Sequence, residues 1–337
     1  MVGLLCPNTK IILTGDHAKL QTIDKFTMFA NHQLYCDWIY IFLLARHFDR
    51  HGDIKFMLIQ LVQKIPLIGQ VGTIWDLLFM QRKLELDKFN ILANMKRQRE
   101  YASHLPLWMV IFPEGTLNTP ETRAKCREFA KKHDITEDPK YVLLPKSTGL
   151  FMVTDALKTQ LNDCFDITIG YSGLEAVDIP MDYYMPGEVF FGQRYPKEIH
   201  VHVKHYQVNQ QPGFDDQVID PTKPLQPDST TKNFVQIFDE KTDQRRLRFS
   251  NWVTKRFMEK DERMKDFYED GGFDKAHQHA GYKTNEKDIW QVNPNANDVM
   301  LVLTTWVIGY TLANFYWWTF VKLISVIVTI SRFVLRI

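Results

Sequence analysis

Between residues 11 and 173 short β-favouring runs alternate with helix-like stretches, and this alternation points the chain to an α/β architecture, a sheet flanked by helices. Residues 11–14 and 26–30 read as strands, and 37–48 as a helix rich in Ile, Leu and aromatics. A mixed apolar stretch broken by Pro66, Gly69 and Gly72 leads through "LLFMQR" to a polar helix over about 86–101. The run "LWMVIFPEGT" is a buried strand stopped by a Pro-Glu-Gly turn. Basic helical sequence follows at 121–132, and "YVLLPKSTGL" reads as another strand, stopping at a loop that opens a helix near Leu150. Open sheets gather function in loops beyond strand ends, and His32, Glu114 and Lys146 each stand at such an end. Farther on, "EVFFGQRYPKEIHVHVKHY" reads as two strands, "NQQPGFDDQVIDPTKPLQPDS" as an exposed loop, and 232–270 as a charged helix. The organisation expected is an α/β domain over 1–210, a loop over 211–230, a charged helical region over 231–297 and a membrane segment over 298–337.

That last expectation rests on residues 299–321, an uncharged run of 23 residues. At roughly 1.5 Å per helical residue it is long enough to cross a hydrocarbon layer of about 30 Å. Trp306, Tyr310, Tyr316, Trp317 and Trp318 lie in it, and such aromatics favour the membrane interface. Lys322 interrupts, and apolar sequence resumes until Arg332. The amino terminus lacks the charged start, apolar stretch and small-residue cleavage site of a secretory signal. With 337 residues, 45% of them hydrophobic, the chain has ample material for a core. Lys+Arg 41 against Asp+Glu 40 leaves a net charge of +1, so nothing global draws the chain to a polyanion, and nucleic acid is not an expected partner. Cys6, Cys36, Cys126 and Cys164 are scattered and lack CxxC spacing, so they read as reduced thiols facing the cytosol.

The stretch "NHQLYCDW" sets His32 and Asp37 at the junction of a strand and a helix. An imidazole accepts a proton near neutral pH, and a carboxylate on its other nitrogen fixes the tautomer and stabilises the imidazolium. Without a nucleophile signature such as G-x-S-x-G, the pair suits deprotonation of a substrate hydroxyl, and acyl transfer to an alcohol is the matching reaction class. A helix cap and a solvated helix residue would carry the same letters. In "FPEGT", Gly115 lets the backbone approach a ligand closely and Glu114 accepts hydrogen bonds from ligand hydroxyls, although the turn alone is also a common way to end a strand. Arg82 can hold a phosphate bidentately, and Lys146 with Ser147 can add an anion contact. His200 and His202 share one face of a strand and His277 and His279 flank a glutamine, but no third ligand has metal spacing, and no metal site is expected.

Taken in order over residues 31–149, "NHQLYCDW", "FMQR", "FPEGT" and "LLPKSTG" resemble the four motifs of the glycerolipid acyltransferases, the 1-acylglycerol-3-phosphate and lysophospholipid acyltransferase family. The downstream "WVTKRFMEKDERMKDFYEDGGF" is similar to the region after the catalytic domain in the branch that includes lysocardiolipin and lysophosphatidylinositol acyltransferases, so the resemblance covers roughly 11–273. The resemblance implies the family's sheet flanked by helices, with His32 as general base on the free glycerol hydroxyl and Asp37 orienting it. It further implies that Arg82 holds the acceptor phosphate, that Glu114 and Gly115 bind the acceptor, with Thr116 among the substrate-binding residues, and that Pro145 and Lys146 belong to the acyl-CoA site. Acyl-CoA is then a co-substrate, with no further cofactor, and the acceptor a lysophospholipid, lysophosphatidylinositol or lysophosphatidic acid foremost. A CoA-independent transacylase and a catalytically silent lipid binder are the alternatives. The expected location is the endoplasmic reticulum membrane, with mitochondrial and lipid-droplet membranes as alternatives. Three departures stand out: Leu117 follows "FPEGT" where many relatives are polar or charged, Lys146 stands where relatives often have arginine, and only 30 residues precede Asn31. The last suggests either a truncated start or membrane attachment through the carboxyl-terminal run and apolar residues such as those over 56–68.

Overall fold

The computed structural model describes residues 6–65, 68–81, 84–132, 135–136, 138–192, 194–214, 240–273, 289–292, 310–311, 314–319 and 322. They fall into two units, residues 9–291 and residues 1–8 with 292–337. In the first unit β1 (Lys10–Gly15), α1 (Lys19–Thr22), β2 (Lys25–Ala30), α2 (Asp37–His47) and β3 (Ile54–Ile59) come first. Two short helices, α3 (Gln60–Gln63) and α4 (Ile68–Ile74), lead to β4 (Leu78–Met80), α5 (Leu84–His104) and β5 (Leu107–Ile111). Then come α6 (Pro120–Lys132), α7 (Ser147–Leu157), β6 (Asp163–Tyr171), α8 (Pro180–Tyr183) and β7 (Glu198–Gln207), followed by α9 (Glu240–Asp270) and β8 (Ile289–Gln291).

The strands form one eight-stranded sheet in the order β4-β3-β5-β2-β6-β7-β1-β8. β4, β3, β5, β2 and β6 run parallel, so their carboxyl ends share one edge of the sheet. β7 reverses against β6, β1 runs with β7, and β8 reverses again. Beyond Lys25 the central strands β2 and β5 carry no charge and are buried on both faces, as parallel strands covered by helices are. Phe26 of β2 packs on Trp108 and Phe165 on one face, with ring centroids 4.7 and 4.5 Å away. Phe29 points to the other face, against Trp252 and Phe257 of α9.

Helix α9 makes that second face by periodicity. Phe249, Trp252, Val253, Phe257, Met264 and Phe267 fall on one stripe of the helix, at spacings that combine steps of three and four, and are all buried. Lys260 falls on the same stripe and is fully buried, a position an ammonium tolerates only when paired. It pairs with buried Asp166 of β6 and donates to the Ile167 carbonyl at 2.5 Å. Arg263, one turn on, donates to Thr168 Oγ1 at 2.8 Å.

Several expectations are revised here. α9 and β8, within the charged helical region expected over 231–297, belong to the same compact unit as the sheet. The segment "YVLLP" forms no strand, because its backbone donors are taken by side chains. Residues 188–207 hold one strand and a turn of π-helix, Glu188–Gly192, where two strands were expected. β6 was not anticipated, since Asp163 and Asp166 break its apolar reading although the strand is buried almost throughout. The exposed loop expected at 211–230 lies outside the described residues from 215 on.

In the second unit, Asn8 N donates to the Val292 carbonyl at 2.9 Å. Residues 314–319 are helical, with Phe315, Tyr316, Trp317 and Trp318 exposed, and Lys322 Nζ sits 3.9 Å from the Trp318 ring centroid. Most of the 299–321 run lies outside the described residues, and no helix among the described residues is long and apolar enough to cross a membrane.

Candidate active site

The loop after β2 is built around one carboxylate. Asn31 first extends the strand pairing with its side chain: its Nδ2 donates to the Ile169 carbonyl at 2.9 Å and its Oδ1 accepts from Ile169 N at 2.8 Å. Asp37, the first residue of α2, then turns back into the loop. Its Oδ2 accepts from Gln33 N at 2.8 Å and its Oδ1 from Leu34 N at 3.1 Å and from the Tyr171 hydroxyl at 2.5 Å. The fourth partner is His32, whose Nδ1 lies 2.8 Å from Oδ2. The Asp37 side chain is 1% exposed and the His32 side chain 23%. The carboxylate is therefore sealed and the imidazole opens outward. With Nδ1 committed to Asp37, Nε2 is the nitrogen left to take a proton.

The neighbouring strand β5 supplies a second loop at the same edge. The Phe112 ring lies 4.6 Å from the His32 ring in a stacked arrangement that fixes its plane. Gly115 N bonds to the Phe112 carbonyl at 3.0 Å, and Gly115 has φ +66°, a left-handed conformation that costs glycine nothing. Between them, Glu114 is 1% exposed. Its Oε1 accepts from His32 N at 2.9 Å and its Oε2 from Leu143 N at 3.1 Å. Burial pushes this carboxyl up to about 8, against the two backbone donors that favour its ionised form. Each oxygen thus accepts one bond from the protein's own backbone, which ties Glu114 to the loops on either side of it.

A third loop closes on the other two. Lys146 N donates to the Pro113 carbonyl at 2.7 Å, and a Cβ placed on Gly115 would lie 3.6 Å from Lys146 Cδ and 3.9 Å from its Nζ. Lys146 therefore stretches along the Gly115 turn, and Gly115 and Thr116 are partly exposed while Pro145 is buried. His32, Glu114, Gly115, Thr116, Pro145 and Lys146 lie on these three loops, and Asp37 opens the helix that follows the first of them. Arg82 lies outside the described residues. Leu117 is buried and belongs to the core. Tyr171, missed in the sequence, completes the shell of Asp37; burial raises its phenol well above the ordinary value and keeps it a donor. His202 Nδ1 is spoken for by Thr14 Oγ1 at 3.0 Å, and His200 packs on Phe267. No group of three metal-binding side chains occurs among the described residues.

Residues 14–172 match the family model Acyltransferase. The chain is 28% identical over 276 residues to the 2-acyl-1-lysophosphatidylinositol acyltransferase of Saccharomyces cerevisiae, covering 72% of this chain and 62% of that protein. It is 28% identical over 266 residues to lysocardiolipin acyltransferase 1 of Gallus gallus, covering 78% and 58% respectively. A probable 1-acyl-sn-glycerol-3-phosphate acyltransferase 5 of Arabidopsis thaliana is 26% identical over 268 residues, covering 79% and 59%. The chain spans about three fifths of the length of these relatives. The matched span ends one residue after Tyr171 and leaves α9 outside it.

Proposed function

We propose that the chain transfers an acyl group from acyl-CoA to the free glycerol hydroxyl of a lysophospholipid, a reading supported by the match of residues 14–172 to the family model Acyltransferase. The observation that carries this reading is the His32–Asp37 pair at 2.8 Å, its carboxylate sealed and its imidazole open at the carboxyl edge of the sheet. His32 Nε2 takes the hydroxyl proton as the oxygen attacks the thioester carbonyl carbon. The C–S bond then breaks, sulfur leaves as thiolate, and the imidazolium returns the proton to give free CoA. Asp37 holds the Nδ1 proton and stabilises the positive charge of the intermediate imidazolium. Positioned proton transfer of this kind is worth about 10² to 10⁴ in rate. No acyl-enzyme is required, and the adjacent thiol, Cys36, is buried.

In the same reading Arg82 holds the acceptor phosphate, Gly115 and Thr116 line the acceptor site, and Pro145 and Lys146 serve acyl-CoA. No cofactor beyond the co-substrate is needed. Lysophosphatidylinositol and lysophosphatidic acid are the proposed acceptors, in keeping with the names of the yeast and plant relatives. The proposed setting is the endoplasmic reticulum membrane. Contact with lipid is supported by α4, which is inverted: Gly69 and Gly72 are buried while Val71 is 52% and Ile74 86% exposed. A Cβ on Gly72 would meet Phe79 Cζ at 2.8 Å, so the glycines allow close packing inward and the branched side chains face out. α3 and α4 link β3 to β4, whose carboxyl ends lie on the edge that carries His32.

The test is an acceptor panel: purified protein in detergent, labelled oleoyl-CoA, and lysophospholipids differing only in head group. Labelled phospholipid and CoA thiol released in equal amounts with an anionic acceptor are expected. Absence of transfer to every acceptor by folded protein would overturn the reading, and transfer from a phospholipid donor alone would replace it with the transacylase.

A further inference from the structure

Residues 140–147 carry the third loop of the site without belonging to any strand, so the destination of each backbone donor can be followed. Lys140 N donates to Asp261 Oδ2 at 3.0 Å. Tyr141 N and Val142 N donate to Asp261 Oδ1 at 2.5 and 3.1 Å. Leu143 N goes to Glu114, Leu144 N to Cys126 Sγ at 3.3 Å, and Lys146 N to the Pro113 carbonyl. Where the loop enters α7, Ser147 Oγ meets Ser250 Oγ at 2.8 Å. Both ends of the loop are thus held by α9, a helix outside the matched acyltransferase span, and its middle is held by the Glu114 loop.

The grip of α9 is itself fixed. Lys260, next to Asp261, is anchored to Asp166 and the Ile167 carbonyl, which sets the rotation and height of the helix on β6. Tyr268 adds a ring contact to Tyr141, centroids 5.1 Å apart. From Asp261 the chain of bonds runs through the backbone of 142–143 to Glu114 Oε2, and from Glu114 Oε1 to the amide of His32. Two carboxylates therefore couple a helix late in the sequence to the base early in it.

We propose that Asp261 is a positioning residue of the acyl-transfer site, holding the 140–146 loop for acyl-CoA and, through Leu143 and Glu114, the backbone of His32. The proposal rests on the acyl-transfer reading for its kinetic part and on the hydrogen-bond path alone for its structural part.

Asp261 is only partly buried, so its variants are expected to fold. In the full chain, Asp261→Ala removes three acceptor bonds, while Asp261→Asn keeps one oxygen for Tyr141 and Val142. Hydrogen exchange is expected to quicken at residues 140–143 and also at the His32 amide, more in the alanine than in the asparagine variant. Turnover with acyl-CoA, as kcat/KM, is expected to fall about tenfold or more in Asp261→Ala, with the KM for the lysophospholipid changed by less than about twofold. Unchanged exchange at His32 would overturn the coupling. A loss of turnover that only tracks a lowered unfolding temperature, with the KM values for both substrates rising alike, would reduce Asp261 to a structural residue. If the native chain transfers no acyl group, the acyl-transfer reading fails while the exchange experiment still judges the positioning path.

Discussion

Asp37 and Glu114 are two buried carboxylates on adjacent loops, and their surroundings give them different tasks. Asp37 gathers four donors around a single histidine, whereas Glu114 has two backbone donors and a burial penalty that raises its carboxyl to about 8. In the unfolded chain an ordinary glutamate titrates near about 4.3. Between those values the folded protein holds a proton that the unfolded chain has lost, so this group's contribution to stability falls as pH rises from about 4.3 toward 8. Chemical denaturation of the native chain and Glu114→Gln at pH 5.5 and 8.5 checks this: the advantage of the native chain should shrink at the higher pH, and a constant difference would contradict it. At this scale the sequence was legible where partners lie close together. His32 and Asp37 are five residues apart on either side of a helix start, a spacing that by itself suggests a pair, and they lie 2.8 Å apart. Tyr171 lies 134 residues from Asp37, and nothing local marks a tyrosine as its donor. The backbone donors of Glu114 come from residues 32 and 143, on loops that meet only in the fold, so the sequence does not mark them.

Among the elements, the parallel strands were legible where no charge interrupts them, as in "FTMFA" and "LWMVI". β6 was hidden by Asp166, whose charge is admissible only because Lys260 arrives from α9. "YVLLP" carries strand-favouring residues, yet Asp261 and Glu114 occupy its donors and Pro145 has none to give. Helix α4 shows the opposite case, in which a helix is packed by its glycines and presents its branched side chains outward. Burying one such side chain is worth about 1.5 to 3 kcal/mol. Replacing Val71 and Ile74 together by Asn is expected to lower cosedimentation with phosphatidylcholine–phosphatidylinositol vesicles by about tenfold or more while leaving turnover of detergent-dispersed substrate near native. Undiminished vesicle binding would remove α4 from the lipid contact.

For the unit spanning 9–291, the matched acyltransferase span is not the whole of the folding body. α9 covers the Phe29 face of the sheet and supplies the only ion-pair partner of buried Asp166 among the described residues. Leaving a buried charge without its partner costs about 3 to 5 kcal/mol, a large share of a domain's net stability. A chain ended at residue 214 is therefore expected to lose cooperative thermal unfolding, and a sharp transition near the native one would contradict the assignment of α9 to the core. The central claim concerns His32, and its most direct measurement is turnover of acyl-CoA and lysophospholipid by His32→Ala beside the native chain, with thermal unfolding recorded for both. The account predicts a fall of about 10² to 10⁴ in kcat at an unchanged unfolding temperature; turnover undiminished in the variant would contradict it.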